Sequence, residues 1–76
     1  MTKQVTVYSK LGCGRCVFTK KWLESHNIPY TEKRTDLDES ARKEVEELGY
    51  QSLPVVVAGD ENWSGYQPDK LAELVE

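Results

Sequence analysis

The chain has 76 residues, enough for a single domain over residues 1–76 but with little room for a second hydrophobic core. Hydrophobic residues make up 38% and charged residues 30%, which is ordinary for a globular protein. The formal net charge of -3 disfavours a general binder of nucleic acid or of anionic membranes.

The first part of the chain predicts a strand, a loop and a helix. Residues 4–8 alternate in polarity and are rich in β-branched side chains, which is typical of a strand. A loop over residues 9–12 is followed by a helix over residues 13–25, which Asn27 and Pro29 are expected to end. The expected apolar side of this helix consists of Val17, Phe18, Trp22 and Leu23.

A second strand and a second helix are predicted next. Residues 30–34 are polar, so they suit a strand at the edge of a sheet. Asp36 or Asp38 is expected to cap the helix that follows, and Gly49 is expected to end it. Its predicted buried stripe consists of Ala41, Val45 and Leu48.

A hairpin and a final helix complete the predicted elements. Val55–Ala58 is the most apolar run and is expected to be a central strand. Residues 59–60 favour a tight turn to a last strand over Glu61–Ser64. Pro68 is typical of the first turn of a helix. The inner face of that helix is expected to consist of Leu71, Leu74 and Val75.

The predicted order is therefore β-α-β-α-β-β-α, which indicates an α/β fold. The first two strands should be parallel, because a helix joins them, and the last two should form an antiparallel hairpin in the same sheet. Three helices on the two faces of a small mixed four-stranded sheet would cover the apolar surface of so few elements.

The two cysteines of the chain stand three positions apart in the stretch LGCGRCVF, residues 11–18. Cys13 lies at the predicted start of a helix, where unpaired backbone N–H groups and the charges of Lys10 and Arg15 favour a thiolate. Cys16 lies one turn further, within the Cα separation that a disulfide tolerates. We expect Cys13 to attack a substrate disulfide and Cys16 to resolve the mixed disulfide that forms.

Two other uses of the cysteine pair are open from the residues alone. One is a permanent structural disulfide, but closing so short a ring removes little entropy from the unfolded chain. The other is a zinc site, but the chain adds only a distant His26 to the two cysteines, so we expect no metal. A Cys-x-x-Cys pair beside a β-α-β pattern favours a thioredoxin-like redox motif instead.

Three stretches make the whole chain resemble a glutaredoxin-sized member of the thioredoxin-fold superfamily. They are VTVYSKLGCGRC, SLPVVV and WSGYQPDKL. The last one, residues 63–71, is the most specific, since it is similar to the tryptophan-serine-glycine-aromatic-x-proline signature of NrdH-type redoxins. The resemblance implies a thioredoxin/glutaredoxin-like fold.

The same resemblance implies the residues of the site. Cys13 would be the nucleophile and Cys16 the resolving thiol. Pro54 would follow a cis peptide bond and face the cysteines, and Leu53 would present backbone groups to an extended substrate segment. The loop that walls the site and shapes partner choice would consist of Trp63, Ser64, Gly65, Tyr66 and Pro68.

NrdH-type redoxins accept electrons from thioredoxin reductase and deliver them to class Ib ribonucleotide reductase. The resemblance therefore implies a monomeric thiol-disulfide oxidoreductase with no bound cofactor. Its electrons would come from NADPH through thioredoxin reductase, and its client would be the large subunit of the ribonucleotide reductase. The sequence shows no secretory pattern and no membrane-spanning run, so we expect a cytoplasmic protein, where a lone cysteine pair is usually reduced.

Departures from the family pattern, which include Leu11 where proline is common, bear on the reduction potential and on partner affinity rather than on the chemistry, and two alternative functions stay open. Gly14 and Arg15 stand between the cysteines where Val-Gln is common, and Gly14 weakens the first helical turn. A glutathione-dependent glutaredoxin is the first alternative. Its acidic contact to glutathione falls at Pro68 here, although Asp69 follows and Lys10 remains. The second is a dimer that bridges an iron–sulfur cluster with glutathione, which the second cysteine disfavours.

Several residues carry two interpretations each. Lys10 either stabilises the Cys13 thiolate or is only solvated. Trp63 either shapes the site or packs in the core. The basic pairs at residues 20–21 and 33–34 are short, so we expect them to be solvated rather than part of a binding site.

Overall fold

Four strands and three α-helices follow one another in the computed structural model, which describes residues 4–75. The elements are β1 (Val5–Ser9), α1 (Gly14–Ser25), β2 (Thr31–Arg34), α2 (Glu39–Glu47), β3 (Val55–Ala58), β4 (Glu61–Ser64) and α3 (Pro68–Ala72), with a 3-10 turn over Glu73–Val75. The predicted order of elements is confirmed. Ser9 belongs to β1 rather than to the predicted loop, and β2 begins one residue later than predicted.

The strands form one mixed sheet in the order β2-β1-β3-β4. β1 pairs in parallel with β2 and antiparallel with β3, and β3 pairs antiparallel with β4. The apolar β3 is therefore central and the polar β2 lies at an edge, as predicted. Because β1 and β2 are parallel, the chain must cross over between them, and α1 is that crossover.

Helices cover both faces of the sheet, as predicted. One face packs with α1 and α3 in a cluster of Val5, Val7, Leu23, Val56, Ala58, Trp63 and Leu71. The other packs with α2 in a cluster of Tyr8, Ala41, Val45 and Val55. Neighbouring strand residues join different clusters because successive side chains point to opposite faces. No helix within residues 4–75 is long and apolar enough to cross a membrane.

The apolar side predicted for α1 is confirmed at Leu23 but wrong at Val17 and Phe18. Val17 and Phe18 are exposed, Phe18 to 59%. Trp22 is half-buried at the margin of the core and stacks on His26, with ring centroids 3.8 Å apart. The buried positions of α1 are Cys16 and Thr19 together with the predicted Leu23. These positions lie on one helical face, and two of them are small, so the helix can approach the sheet closely.

Two other packing predictions are wrong. Leu48 and Val75 are both exposed. Leu48 is already the C-cap of α2, and Val75 lies in the 3-10 turn, so neither is in a regular helical turn that packs on the sheet. Asp38 rather than Asp36 caps α2, since the Asp38 carboxylate accepts hydrogen bonds of 2.9 and 3.4 Å from two backbone N–H groups of the first turn.

A polar contact ties α2 to the centre of the sheet. The buried Tyr8 of β1 donates its hydroxyl to Glu44 Oε1 of α2 at 2.6 Å. Lys33 of β2 donates to the same oxygen at 3.0 Å, and its ammonium lies 5.7 Å from the centre of the Tyr8 ring. Burial, followed by the hydrogen bond to Glu44, raises the pKa of Tyr8 to about 12. This contact joins three elements through one carboxylate.

Replacing Tyr8 tests this contact. We expect Tyr8→Phe to lower the free energy of unfolding by about 1 kcal/mol at neutral pH, because a buried hydrogen bond is lost. Since the pKa of Tyr8 is raised in the folded state, its contribution is fully present below about pH 10 and is lost between about pH 10 and 12. Urea unfolding at neutral pH and at about pH 11 should therefore show a difference between the proteins that shrinks at high pH.

Tyr30→Phe is the matched control, because Tyr30 also donates to a carboxylate at 2.6 Å, that of Glu24 on the surface. The hydrogen bond of Tyr30 is exposed, whereas that of Tyr8 is partly buried, so the loss in free energy of unfolding should be smaller for Tyr30→Phe. Equal losses in the two variants, or a Tyr8 effect that stays constant with pH, would contradict the assignment.

Candidate redox site

The two cysteines meet at the N-terminus of α1. They form a disulfide, with their Cα atoms 5.2 Å apart, inside the range expected from their spacing. Cys13 is the N-cap of the helix, and its Sγ accepts the backbone N–H of Cys16 at 3.1 Å. The reactive sulfur therefore lies at the positive end of the helix dipole, which favours a thiolate when the bond is reduced.

The two sulfurs differ in their access to solvent. Cys16 is only 1% exposed and packs on the inner face of α1, whereas Cys13 is half-buried. An incoming disulfide can therefore reach Cys13 but not Cys16. This asymmetry matches the roles of attacking and resolving thiol that the sequence predicts.

The segment before β3 faces the attacking sulfur. The carbonyl oxygen of Leu53 lies 3.8 Å from Cys13 Sγ. The Leu53–Pro54 peptide bond is cis, as the resemblance implies, and Pro54 is buried. Leu53 itself is half-buried, and its backbone lies beside Cys13, where the resemblance implies contact with a substrate segment.

The loop after β4 is bound to that same segment. Ser64 donates its hydroxyl to the Ser52 carbonyl at 3.0 Å, and the Gly65 N–H donates to the Pro54 carbonyl at 2.7 Å. Gly65 has a φ of 87°, which a residue with a side chain rarely adopts. Gln67 extends this network, since its side-chain amide donates to the Ser64 carbonyl at 2.8 Å. The loop and the cis-proline segment thus form one wall.

Other residues of the signature lie in different surroundings. Trp63 is only 5% exposed and belongs to the core on the face of α1 and α3, next to Val56 in the strand register. Its packing role is therefore the one that the structure displays. Tyr66 is exposed and contacts the ring of Phe18, with centroids 6.0 Å apart. Pro68 begins α3 and is exposed.

A groove with a volume of about 390 Å³ lies on the other side of the cysteine pair. Its lining includes both cysteines, Gly14, three cations and one carboxylate; the charged residues are Lys10, Lys20, Arg34 and Glu32. Arg15 is exposed on α1 and is not part of this lining. The basic pairs at residues 20–21 and 33–34 were predicted to be solvated only. One member of each pair, Lys20 and Arg34, lines the groove.

Two of the groove's cations are paired with carboxylates. Lys20 donates to Glu32 Oε2 at 2.8 Å, and the buried Ser9 hydroxyl donates to the same oxygen at 2.6 Å. These hydrogen bonds, that of Lys20 first, hold the pKa of Glu32 below its ordinary value. Arg34 binds Asp36 through two hydrogen bonds of 2.8 and 2.6 Å. Lys10 is exposed and lines the groove close to Cys13.

Sequence reasoning missed Ser9, Lys20, Glu32 and Arg34 as neighbours of the cysteines. Two signals could have found them. Lys20 stands four positions after Cys16, which places both on one side of a helix. Ser9 and Arg34 end two parallel strands, whose carboxyl ends meet at one edge of the sheet. Within residues 4–75, no group of three metal-ligating side chains is present.

Comparison with protein families agrees with this geometry. The family model described as Glutaredoxin matches residues 5–63. The glutaredoxin-like protein NrdH of Lactococcus lactis subsp. cremoris is 40% identical over 70 residues, which cover 92% of this chain and 97% of that protein. The protein of the same name from Escherichia coli K12 is 32% identical over 71 residues, which cover 93% and 88%.

Solved structures show the same relationship. The NrdH-redoxin of Escherichia coli, a glutaredoxin-like protein described as having a thioredoxin-like activity profile, superposes with a TM-score of 0.90 at 32% identity and covers 93% of both chains. A glutaredoxin from Archaeoglobus fulgidus superposes with a TM-score of 0.81 at 30% identity, covering 97% of this chain and 87% of its own.

The difference in exposure predicts selective labelling. In the reduced protein, we expect iodoacetamide to modify Cys13 at least about ten times faster than Cys16, because only Cys13 is accessible and placed at a helix N-terminus. Mass spectrometry of peptides after brief labelling measures the ratio. In Cys13→Ser, the remaining Cys16 should label slowly; equal labelling of both cysteines would contradict the assigned roles.

Lys10 offers a second test of the thiolate environment. We expect Lys10→Gln to slow the labelling of Cys13 about threefold at neutral pH and low salt, because a positive charge in the groove that Cys13 lines is lost. The rate is measured against pH, and its midpoint should move to higher pH. Lys21→Gln is the control, since Lys21 does not line the groove. Identical profiles for Lys10→Gln and the unaltered protein would leave Lys10 as a solvated residue.

Proposed function

This chain belongs to the glutaredoxin family, among its NrdH-type members, and on that basis we propose that it carries electrons from thioredoxin reductase to the large subunit of class Ib ribonucleotide reductase. Its chemistry is that of a thiol-disulfide oxidoreductase built on Cys13 and Cys16. The proposal concerns the two partners, and the geometry around the cysteines supports it.

The reaction moves two electrons as a dithiol. The Cys13 thiolate attacks one sulfur of the client disulfide, a mixed disulfide forms and the other client sulfur leaves as a thiolate. Cys16 then loses its proton and attacks Cys13 Sγ, which forms the intramolecular disulfide and releases the second client thiolate. Thioredoxin reductase, which takes its electrons from NADPH, would reduce the Cys13–Cys16 bond by the reverse exchange.

One observation carries the choice of thioredoxin reductase over glutathione. The signature loop is bound to the cis-proline segment through Ser64 and Gly65, so the Gly65 N–H is already occupied by the Pro54 carbonyl. The resemblance places the acidic contact to glutathione at Pro68, which carries no charge. Asp69 follows in the first turn of α3, one position away. With the Gly65 N–H occupied and no acidic side chain at position 68, the signature loop offers fewer hydrogen-bonding and charged groups to glutathione.

The surface around Cys13 also fits a protein partner. Leu11, Phe18 and Tyr66 are all exposed, and the last two are in contact. Leu11 lines the groove together with Cys13, and exposed apolar side chains favour burial against a protein surface over binding of a small charged peptide. The E. coli relative, with its thioredoxin-like activity profile, has the same fold.

The proposal extends to the setting of the reaction. The protein would act as a monomer in the cytoplasm, with no bound cofactor, since the two sulfurs carry the electrons. In that compartment a lone cysteine pair serves in transient, catalytic disulfides rather than in structural ones.

A reconstituted assay tests the partners. NADPH, thioredoxin reductase, this protein and a class Ib ribonucleotide reductase are combined, and the formation of deoxyribonucleotides is measured. A parallel reaction replaces thioredoxin reductase with glutathione and glutathione reductase. We expect fast turnover only with thioredoxin reductase, because the glutathione contacts are depleted. Fast turnover only with glutathione would identify a glutathione-dependent glutaredoxin instead.

Cys16→Ser serves as the control in the same assay. Without the resolving thiol, Cys13 can form the mixed disulfide but cannot release the client. We expect turnover to stop and a covalent adduct between this variant and the client subunit to accumulate, visible by non-reducing gel electrophoresis.

A further inference from the structure

A short exposed turn connects β1 to the cysteine pair. Leu11 is 79% exposed, and Gly12 has a φ of 78° with open space around the position of a side chain. Neither residue contributes to the hydrophobic clusters of the sheet. Packing therefore does little to fix this turn, although the turn sets where Cys13 lies relative to α1.

A hydrogen bond from outside the turn reaches it. The Leu11 N–H donates to Asp36 Oδ2 at 3.3 Å, and Asp36 lies in the loop between β2 and α2. Asp36 is in turn held by Arg34, whose Nε and Nη2 donate to its two oxygens at 2.8 and 2.6 Å. Arg34 ends β2 opposite Ser9, so the carboxylate is anchored to the sheet next to the strand that leads into the turn.

We propose that Asp36 is a positioning residue for the redox pair: held by Arg34, its carboxylate restrains the turn of Leu11 and Gly12 and so keeps Cys13 beside Cys16. The inference rests on the thiol-disulfide chemistry of the proposed function and not on the identity of its partners.

The restraint matters most in the dithiol state. In the oxidised protein, the Cys13–Cys16 bond itself holds the attacking cysteine at the helix N-terminus. After reduction, that covalent link is gone and only the hydrogen bonds of the Cys13 Sγ and carbonyl with α1 remain, so the exposed turn before Cys13 can sample more conformations. A hydrogen bond that removes some of them raises the effective concentration of one thiol at the other and thus favours the disulfide.

The charge of Asp36 suits this role. The Arg34 guanidinium, with the Leu11 N–H as a lesser contribution, lowers the pKa of Asp36 to about 2. The group is therefore a carboxylate, and an acceptor only, at any pH where thiol-disulfide exchange runs. The paired guanidinium also offsets its negative charge, so that an acid close to Cys13 does not oppose the thiolate.

The equilibrium between the protein and dithiothreitol measures the effect directly. We expect Asp36→Ala to lower the equilibrium constant for disulfide formation about three- to tenfold, the factor that one hydrogen bond of ordinary net strength supplies, because this bond is long and exposed. Asp36→Asn should lose clearly less, because its side-chain oxygen can still accept the Leu11 N–H. The comparison of these two variants separates the hydrogen bond from the charge, which both of them remove.

Glu39→Gln is the control for removing a nearby carboxylate. Glu39 forms an exposed ion pair of 3.7 Å with Arg42 and is not bonded to the turn. The equilibrium constant for disulfide formation in Glu39→Gln should therefore equal that of the unaltered protein. Thermal unfolding of the oxidised proteins is measured in parallel. If Asp36→Ala lowers only the melting temperature, or if it matches Asp36→Asn in the equilibrium constant, the proposed role is overturned.

This experiment is independent of the proposed partners. It requires no reductase and no client, so an unaltered protein that equilibrates with dithiothreitol validates the assay even if the reconstituted system shows no turnover. In the same way, an unchanged equilibrium constant in Asp36→Ala would not affect the choice between thioredoxin reductase and glutathione.

Discussion

The hydrogen bond from the Cys16 N–H to Cys13 Sγ places the reactive atom at the N-terminus of α1, and the rest of the structure depends on that placement. Cys13 is both the helix cap and the proposed nucleophile, so the backbone that begins the helix also favours the thiolate. The parallel pairing of β1 and β2 requires a crossover helix above the sheet. Cys16 lies on the buried face of that helix. Cys13 is therefore the accessible sulfur of the pair.

Three separate segments complete the site around this helix end. The cis-proline segment before β3 faces Cys13, and the loop after β4 is hydrogen-bonded to it through Ser64 and Gly65. The loop between β2 and α2 reaches the site from the other side through Asp36. All three leave or enter the sheet at the end where β1 leads into α1, so the strand order alone brings them together. A rigid sheet with functional loops at one end is a common way to fix reactive groups.

The charges near the cysteines follow a simple arrangement. Lys20 and Arg34 line the groove, but each is held by a carboxylate, and Lys10 is the one cation of this lining without such a partner among the contacts described for residues 4–75. Paired cations contribute less field to a thiolate than free ones. On the opposite face of the sheet, a carboxylate again makes the polar contact, since Glu44 of α2 accepts the hydroxyl of Tyr8.

The sequence by itself determined the element order, the central place of β3, the edge position of β2 and the location of the cysteines at a helix start, because these follow from local periodicity and turn residues. It did not determine how α1 lies on the sheet. Apolar residues occur around the whole helix, and only tertiary packing selects the face of Cys16, Thr19 and Leu23, whose small members permit close approach. The groove charges and the bond from Leu11 to Asp36 join residues distant in the chain, so the register of the sheet decided them.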